Sequence, residues 1–246
     1  MKKLLASVLA IVLCAGVLAA CGAKEALVVG TNAEFPPFEY IGDDGEPDGF
    51  DIALIKEIAK KMGREAEILN LEFASLVTAI GSKIDVAIAG MTITEERQRT
   101  VDFSDPYYEA VQYVLVPAGS SIATMADLEG LKIGVQLGTT GDFIVDEDIA
   151  EATAAQYNKG VDAVNDLIAG RVDCVIIDKN PALVFADKFA GQVEALNGSL
   201  FGFEPEFYAI AIPKGDTELA NEINKALKDL ISNGTFDKLV KQYIED

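Results

Sequence analysis

Apolar positions along this chain follow two alternating rhythms. Short unbroken runs of strand type recur at residues 27 to 31 (LVVGT), near 65 to 71, at 84 to 89, 132 to 137 (KIGVQL), near 153 to 157, and at 172 to 177 and 208 to 212. Between them lie longer stretches whose apolar side chains return every three or four positions, as on one face of a helix. These cover Ile52 to Met62, residues near 74 to 82, then 161 to 169, 181 to 189, 218 to 231 and 236 to 243. Asp51 stands where a cap opens the first helix, and Gly63 where its last turn is released. Alternation of this kind predicts α/β lobes with largely parallel sheets flanked by helices.

A weak internal repeat predicts two such lobes: residues 81 to 90 (GSKIDVAIAG) can be laid on residues 169 to 178 (AGRVDCVIID). The overlay puts Gly90 and Asp178 at the carboxyl end of a parallel strand in each half, where open α/β sheets bind ligands. The chain is expected to cross between lobes twice, near 111 to 116 and 204 to 210, and two such crossovers make a hinge. Lobe 1 is then residues 26 to 111 with 208 to 246, and lobe 2 is residues 112 to 207. The C-terminal helices pack back on lobe 1 in this arrangement.

The start of the chain follows a different pattern. Met1-Lys2-Lys3 precedes an apolar run from Leu4 to Ala20, the charged start and short hydrophobic stretch of a secretory signal, so residues 1 to 20 are set aside from the fold. Charge narrows the partners. With 20 Lys and Arg against 40 Asp and Glu, the net charge is −20, which disfavours nucleic acid and anionic membrane surfaces. The chain has no histidine and no tryptophan, which removes every mechanism that needs imidazole as base or ligand. Of the three cysteines, Cys14 leaves with the signal, Cys21 follows it and Cys174 sits in an apolar strand, so no intramolecular disulfide is expected. Glu39, Asp43, Asp44, Asp48 and Asp51 are punctuated by Gly42, Gly45, Pro47 and Gly49, a pattern of turns and caps rather than a metal cluster. Neither a metal nor a cofactor is expected.

Several segments in fixed order carry a resemblance. They are GTNAEFPPF (30 to 38), GFDI (49 to 52), AGMTITEER (89 to 97), VDFSDPYY (101 to 108), GVQLGTTG (134 to 141), residues 173 to 178, and NGTF (233 to 236). Together they resemble the amino-acid-binding branch of the periplasmic binding proteins, family 3 of the extracellular solute-binding proteins. The likeness implies a type II fold that closes two lobes on a free amino acid and presents it to the permease of an ABC importer. It implies a binding protein rather than an enzyme, and a monomer is the expected state. The sequence Leu18-Ala19-Ala20-Cys21 resembles a bacterial lipobox, which implies a lipid on Cys21 and an extracytoplasmic protein held to the membrane by that anchor alone.

The same resemblance assigns roles within the site. Arg97 would hold the ligand α-carboxylate through its planar fork, whereas the local pattern alone reads Thr94 as a helix cap and Arg97 as a surface ion-pair residue. Gly90, Met91 and Thr92 would surround the α-amino and α-carboxylate groups. Asp178 would pair with the α-ammonium, although it is also placed to cap the helix near Pro181. Thr139 and Thr140 would add donors to the carboxylate. Side-chain selection would fall to Asn32, Phe35, Phe73 and Gln136, the two phenylalanines being readable as core as well. Relatives often carry aspartate at the place of Asn32, so neutral polar ligands stay open beside cationic ones, with Glu34 as a compensating charge. Two rival readings are an exported cyclohexadienyl dehydratase with Glu34 as the acid, and the detached partner of an amino-acid sensor.

Overall fold

The computed structural model describes residues 25 to 245; Cys21 and the lipidation expected there lie outside them. The strand β1 (Leu27–Thr31) is central to the first sheet, with parallel neighbours β5 (Ala66–Asn70) and β6 (Val86–Ala87). Beyond β6 come β15 (Ala211–Pro213) and β7 (Val101–Phe103), each antiparallel to the strand before it. The second sheet repeats the plan. There β10 (Lys132–Gln136) lies between parallel β11 (Thr153–Tyr157) and β12 (Cys174–Asp178), followed by antiparallel β9 (Gln112–Pro117) and β13 (Val193–Leu196). The shared plan makes the internal repeat structural. Val29 and Gly30 face Val86 and Ala87 in one sheet, and Ile133 and Gly134 face Cys174 and Val175 in the other. Gly90 and Asp178 therefore emerge at equivalent points.

The lobes are joined where β8 (Tyr108–Ala110) pairs antiparallel with β14 (Glu206–Tyr208), and the rings of Tyr108 and Tyr208 stack at 5.7 Å between centroids. The first crossover falls earlier than the apolar pattern indicates, because residues 112 to 117 are already β9 inside the second sheet. The helix α1 (Phe50–Lys61) buries Phe50, Leu54, Ile55 and Ile58 against the first sheet. The C-terminal α7 (Thr217–Ser232) and α8 (Thr235–Tyr243) pack on α1, with Phe236 edge-on to Phe50 at 5.5 Å. The chain thus ends on the lobe where it began.

Some elements differ from the sequence expectation. The helix expected near 74 to 82 is a tight turn at Phe73–Ser75 followed by the single-turn α2 (Leu76–Ala79), and the run at 84 to 89 contributes only two ladder residues. Asp51 does not cap α1. Gly49 holds that position, and the first helical N–H groups of Phe50 and Asp51 donate to the carbonyls of Pro37 and Phe38 at 3.1 and 2.8 Å. No helix among the described residues is long and apolar enough to cross a membrane.

Gly49 has φ of 121°, and a Cβ there would press into the carbonyl oxygens of Phe38 and Pro37 that receive the helix. Gly49→Ala combines a disfavoured backbone with a clash against immobile backbone atoms, so it should destabilise the protein by about 2–4 kcal/mol. Denaturant unfolding of wild type and variant measures this.

Candidate functional site

The carboxyl ends of the two sheets face each other across a narrow cavity lined by both lobes. Arg97 comes from α3 (Glu95–Gln98), whose N-terminus is capped by Thr94, with the Arg97 backbone N–H donating to Thr94 Oγ1 at 3.2 Å. The local capping pattern is therefore present, but the arginine side chain turns inward and is only 7% exposed. Its Nη1 donates to the Thr92 carbonyl at 2.6 Å and its Nη2 to the Gly138 carbonyl of the other lobe at 2.9 Å, over the Phe73 ring at 5.3 Å. Those two bonds leave three of the five N–H donors of a guanidinium for an anion. Desolvation lowers its pKa to about 10, against the charges of Glu206 and Asp178, so it stays cationic at neutral pH.

The opposite wall is acidic. Asp178 ends β12 at the start of α6 (Lys179–Lys188) but makes no side-chain cap; its Oδ1 accepts the Tyr208 hydroxyl at 2.6 Å. Burial, with the charge of Glu206 added, pushes Asp178 up to about 7. Below it lie two acids that the sequence pattern treats as turn and cap residues. Asp51 Oδ2 accepts the Gly90 N–H at 2.8 Å and the Tyr107 hydroxyl at 2.7 Å, and burial pushes this carboxyl up to about 6. Glu39, on β3 (Glu39–Ile41), is 0% exposed and lines the cavity. Neither of its oxygens, nor Asp51 Oδ1, meets an N–H or O–H donor from elsewhere among the described residues. The two carboxyls bond to each other instead, and burial, then the charge of Asp51, holds Glu39 well above the usual carboxylate range. Two carboxyls in such contact cannot both ionise in the empty site. One shared proton then leaves the pair with a single negative charge.

Most of the residues singled out from sequence converge here. Asn32, Phe35, Phe73, Gly90, Thr92, Arg97, Gln136, Thr139, Thr140 and Asp178 all line the cavity. Gly90 has φ of 52° and lies so close to the Phe35 ring that a Cβ would overlap it, which ties the glycine to this wall. Phe35 is core as well as lining, since it stacks on Phe38 at 5.9 Å. Met91 is the exception: its side chain points into the apolar cluster of Leu76, Ile84 and Val101, away from the cavity. Asn32 and Gln136 bond across the cleft, Gln136 Nε2 donating to Asn32 Oδ1 at 2.8 Å.

Polar accounting changes two expected roles. Thr139 Oγ1 donates to the Gln136 carbonyl at 2.7 Å and caps α4 (Thr140–Asp148) by accepting from the Asp142 N–H at 3.4 Å. Thr140 Oγ1 donates to Glu206 at 2.8 Å and accepts from Gln112 Nε2 at 3.0 Å. The donors that α4 keeps for an anion are the backbone N–H groups of its first turn, which lack intrahelical acceptors. Glu34 is no spare charge either, because Lys159 of the other lobe pairs with it at 2.5 Å. Glu39, Asp51 and Glu206 are the site residues that sequence reasoning missed. The signal for the first was its place in the FPPFEY run beside Asn32 and Phe35. No group of three metal-ligating side chains forms among the described residues.

Comparison with known proteins places these features. The family model described as bacterial extracellular solute-binding proteins, family 3, matches residues 27 to 246. The chain is 36% identical over 245 residues to the arginine-binding extracellular protein ArtP of Bacillus subtilis strain 168, covering 92% of each chain. It is similar to the solved structure of an ancestral arginine-binding protein bound to arginine, with 41% identity and a TM-score of 0.84, covering 91% of this chain and 100% of that one. An ancestral amino-acid-binding protein described as a precursor of cyclohexadienyl dehydratase is similar at 35% identity and a TM-score of 0.81, covering 89% and 95%. These relatives are named for binding. The two-lobed type II architecture expected from the sequence is the one they share.

The buried acids give the ligand-free protein a defined pH response. Asp178 at about 7 and Asp51 at about 6 both lie above their unfolded value of 3.8, so between those limits the folded chain holds protons that the unfolded chain has released. Stability should therefore fall as pH rises from about 4 to about 7, with Glu39, held above its usual range by burial, acting in the same sense. Exposed Asp102, Asp127 and Asp166, held low by hydrogen bonds from Lys214, Thr124 and Arg171, act in the opposite sense only at lower pH. Thermal unfolding at about pH 5 and about pH 8 should give the higher Tm at the acidic value.

Proposed function

The chain belongs to the bacterial extracellular solute-binding proteins of family 3, and we propose that it is the receptor of an ABC importer for a free amino acid with a cationic side chain, L-arginine first. The observation that carries this reading is the charge arrangement of the cavity: Arg97 on one wall, Asp178 from the other lobe, and the Glu39–Asp51 pair with one negative charge and, among the described residues, no cationic side chain bonded to it. A zwitterion satisfies the first two and leaves the third unmatched. A guanidinium or ammonium at the end of the side chain supplies that missing charge while the proton between Glu39 and Asp51 stays in place. Burial of an unpaired charge is costly, so this difference selects among amino acids.

The α-carboxylate takes the free N–H groups of Arg97 and of the first turn of α4. The α-ammonium takes Asp178, and the aliphatic part lies between Phe35 and Phe73. Since these groups belong to both lobes, the complete set exists only when the cleft is closed, and ligand affinity for the closed form drives the hinge equilibrium. The bonded pairs Gln136–Asn32, Arg97–Gly138 and Lys159–Glu34 close it from the protein side. Micromolar affinity corresponds to about 8 kcal/mol, within reach of several charge-assisted bonds of about 1.5–3 kcal/mol each after ordering and desolvation costs. Glu34, the acid a dehydratase would use, is engaged by Lys159 and does not line the cavity, which favours binding over catalysis. The lipid on Cys21 tethers the receptor outside the cytoplasmic membrane, where it works as a monomer.

Three outcomes test this reading. Arg97→Ala should weaken L-arginine binding by about 2–5 kcal/mol in calorimetry, because a buried carboxylate is left without its partner. Glu39→Gln combined with Asp51→Asn, which removes the charge of the pair altogether, should reduce L-arginine affinity by about 10–100-fold while changing L-glutamine affinity by less than about threefold; equal effects on both would remove the cation subsite. Binding should also weaken by up to about tenfold per pH unit below 7, as the proton on Asp178 must leave before an ammonium can pair with it, and should level off above 7.

A further inference from the structure

Glu206, the first residue of β14, touches the site from behind. Thr92 is held beside β14 by a bridge to Tyr208 and by the Ile93 N–H donating to the Phe207 carbonyl at 2.9 Å. Thr140 opens α4 on the other lobe. Both hydroxyls donate to one atom, Glu206 Oε2, at 2.6 Å from Thr92 and 2.8 Å from Thr140. Glu206 itself does not line the cavity. It lines an open groove on the far side, with Thr92 and Thr140 forming the partition between the two spaces.

A hydroxyl has one proton and two lone pairs, and a carboxylate can only accept. The Thr92 proton is therefore spent on Glu206, and Thr92 shows the cavity lone pairs alone. Thr140 also spends its proton on Glu206 and accepts from Gln112, which leaves it one lone pair. Had Glu206 been a donor, the Thr92 hydroxyl would turn its proton toward the ligand and repel an ammonium. The cavity is thereby divided into a donor side, Arg97 and the start of α4, and an acceptor side, Thr92 and Asp178.

We propose that Glu206 is a positioning residue that sets the direction of the Thr92 and Thr140 hydroxyls, so that the wall at Thr92 accepts hydrogen bonds and selects an α-ammonium, while the same carboxylate ties the two lobes together. The proposal rests on the amino-acid reading above and goes beyond it in naming what decides which end of the ligand binds where.

Glu206→Leu keeps the bulk but removes the acceptor, which frees the Thr92 hydroxyl proton to face the ligand. Calorimetry with L-arginine and with des-amino arginine, the same guanidino acid without its α-amino group, separates orientation from packing. The variant should bind L-arginine about 10–100-fold more weakly and des-amino arginine within about threefold of wild type, so that the preference for the α-amino group narrows at least about tenfold. Thr92→Val should narrow it similarly, and the double variant should add no more than about twofold to either single change. Equal weakening of both probes, or no weakening, would overturn the proposal. If Glu206→Leu does not fold, Thr92→Val alone decides, and an unchanged preference in it rejects the idea. Failure of wild type to bind L-arginine counts against the substrate reading, and L-glutamine with its des-amino analogue then carries the same comparison. Binding of neither amino acid by wild type would bring down the receptor reading and this proposal together.

Discussion

A charge taken out of water must find a partner, and this protein distributes the partners over two lobes. Arg97 on the first lobe and Asp178 on the second are 7% and 6% exposed, yet no acid among the described residues lies in ion-pair contact with the arginine. It is held by two carbonyls, one from each lobe, and by the face of Phe73. Carbonyl dipoles and a ring compensate a guanidinium less fully than an anion does. The site is therefore built with unsatisfied electrostatic capacity, and a small dipolar molecule is what meets it.

The remaining structure serves that arrangement. Parallel strands bring their carboxyl ends to one edge of each sheet, and the common plan of the two sheets sets Gly90 opposite Asp178. Glycine at position 90 lets the Phe35 ring come close, and its N–H fixes Asp51 beneath the cavity. Asp51 then holds Glu39 through a shared proton. One backbone group thus orders a buried acidic pair that neither helix propensity nor sheet pairing would place there.

The hinge does more than connect. Tyr208 on β14 donates to Asp178, and Glu206 two residues earlier receives Thr92 and Thr140. Since successive side chains of a strand alternate between faces, residues 206 and 208 point the same way, toward the lobe interface. The crossover strand therefore carries both the support for the ammonium-binding acid and the acceptor that orders the threonines. Hinge geometry and site chemistry are coupled through that strand.

The sequence by itself determined what depends on local periodicity. Strand and helix rhythms foretold α/β lobes, the repeat of residues 81 to 90 on 169 to 178 foretold their common plan, and family-specific segments marked Arg97 and Asp178 as a pair. Local rules also held where they applied, since Thr94 does cap α3. What they could not reach was side-chain direction and long-range pairing. Thr92 and Glu206 are 114 residues apart, and Asn32 and Gln136 are 104 apart; no local pattern encodes such contacts. The helix α4, TGDFIVDED, was invisible because β-branched residues and acids at its C-terminal end oppose helix formation, and packing on the second sheet supplies what propensity does not. Glu39 reads as a turn residue and Asp51 as a helix cap because their surroundings are rich in glycine and aspartate. Only the folded chain shows them buried, because burial is a property of what other segments bring against a residue and not of its neighbours in sequence.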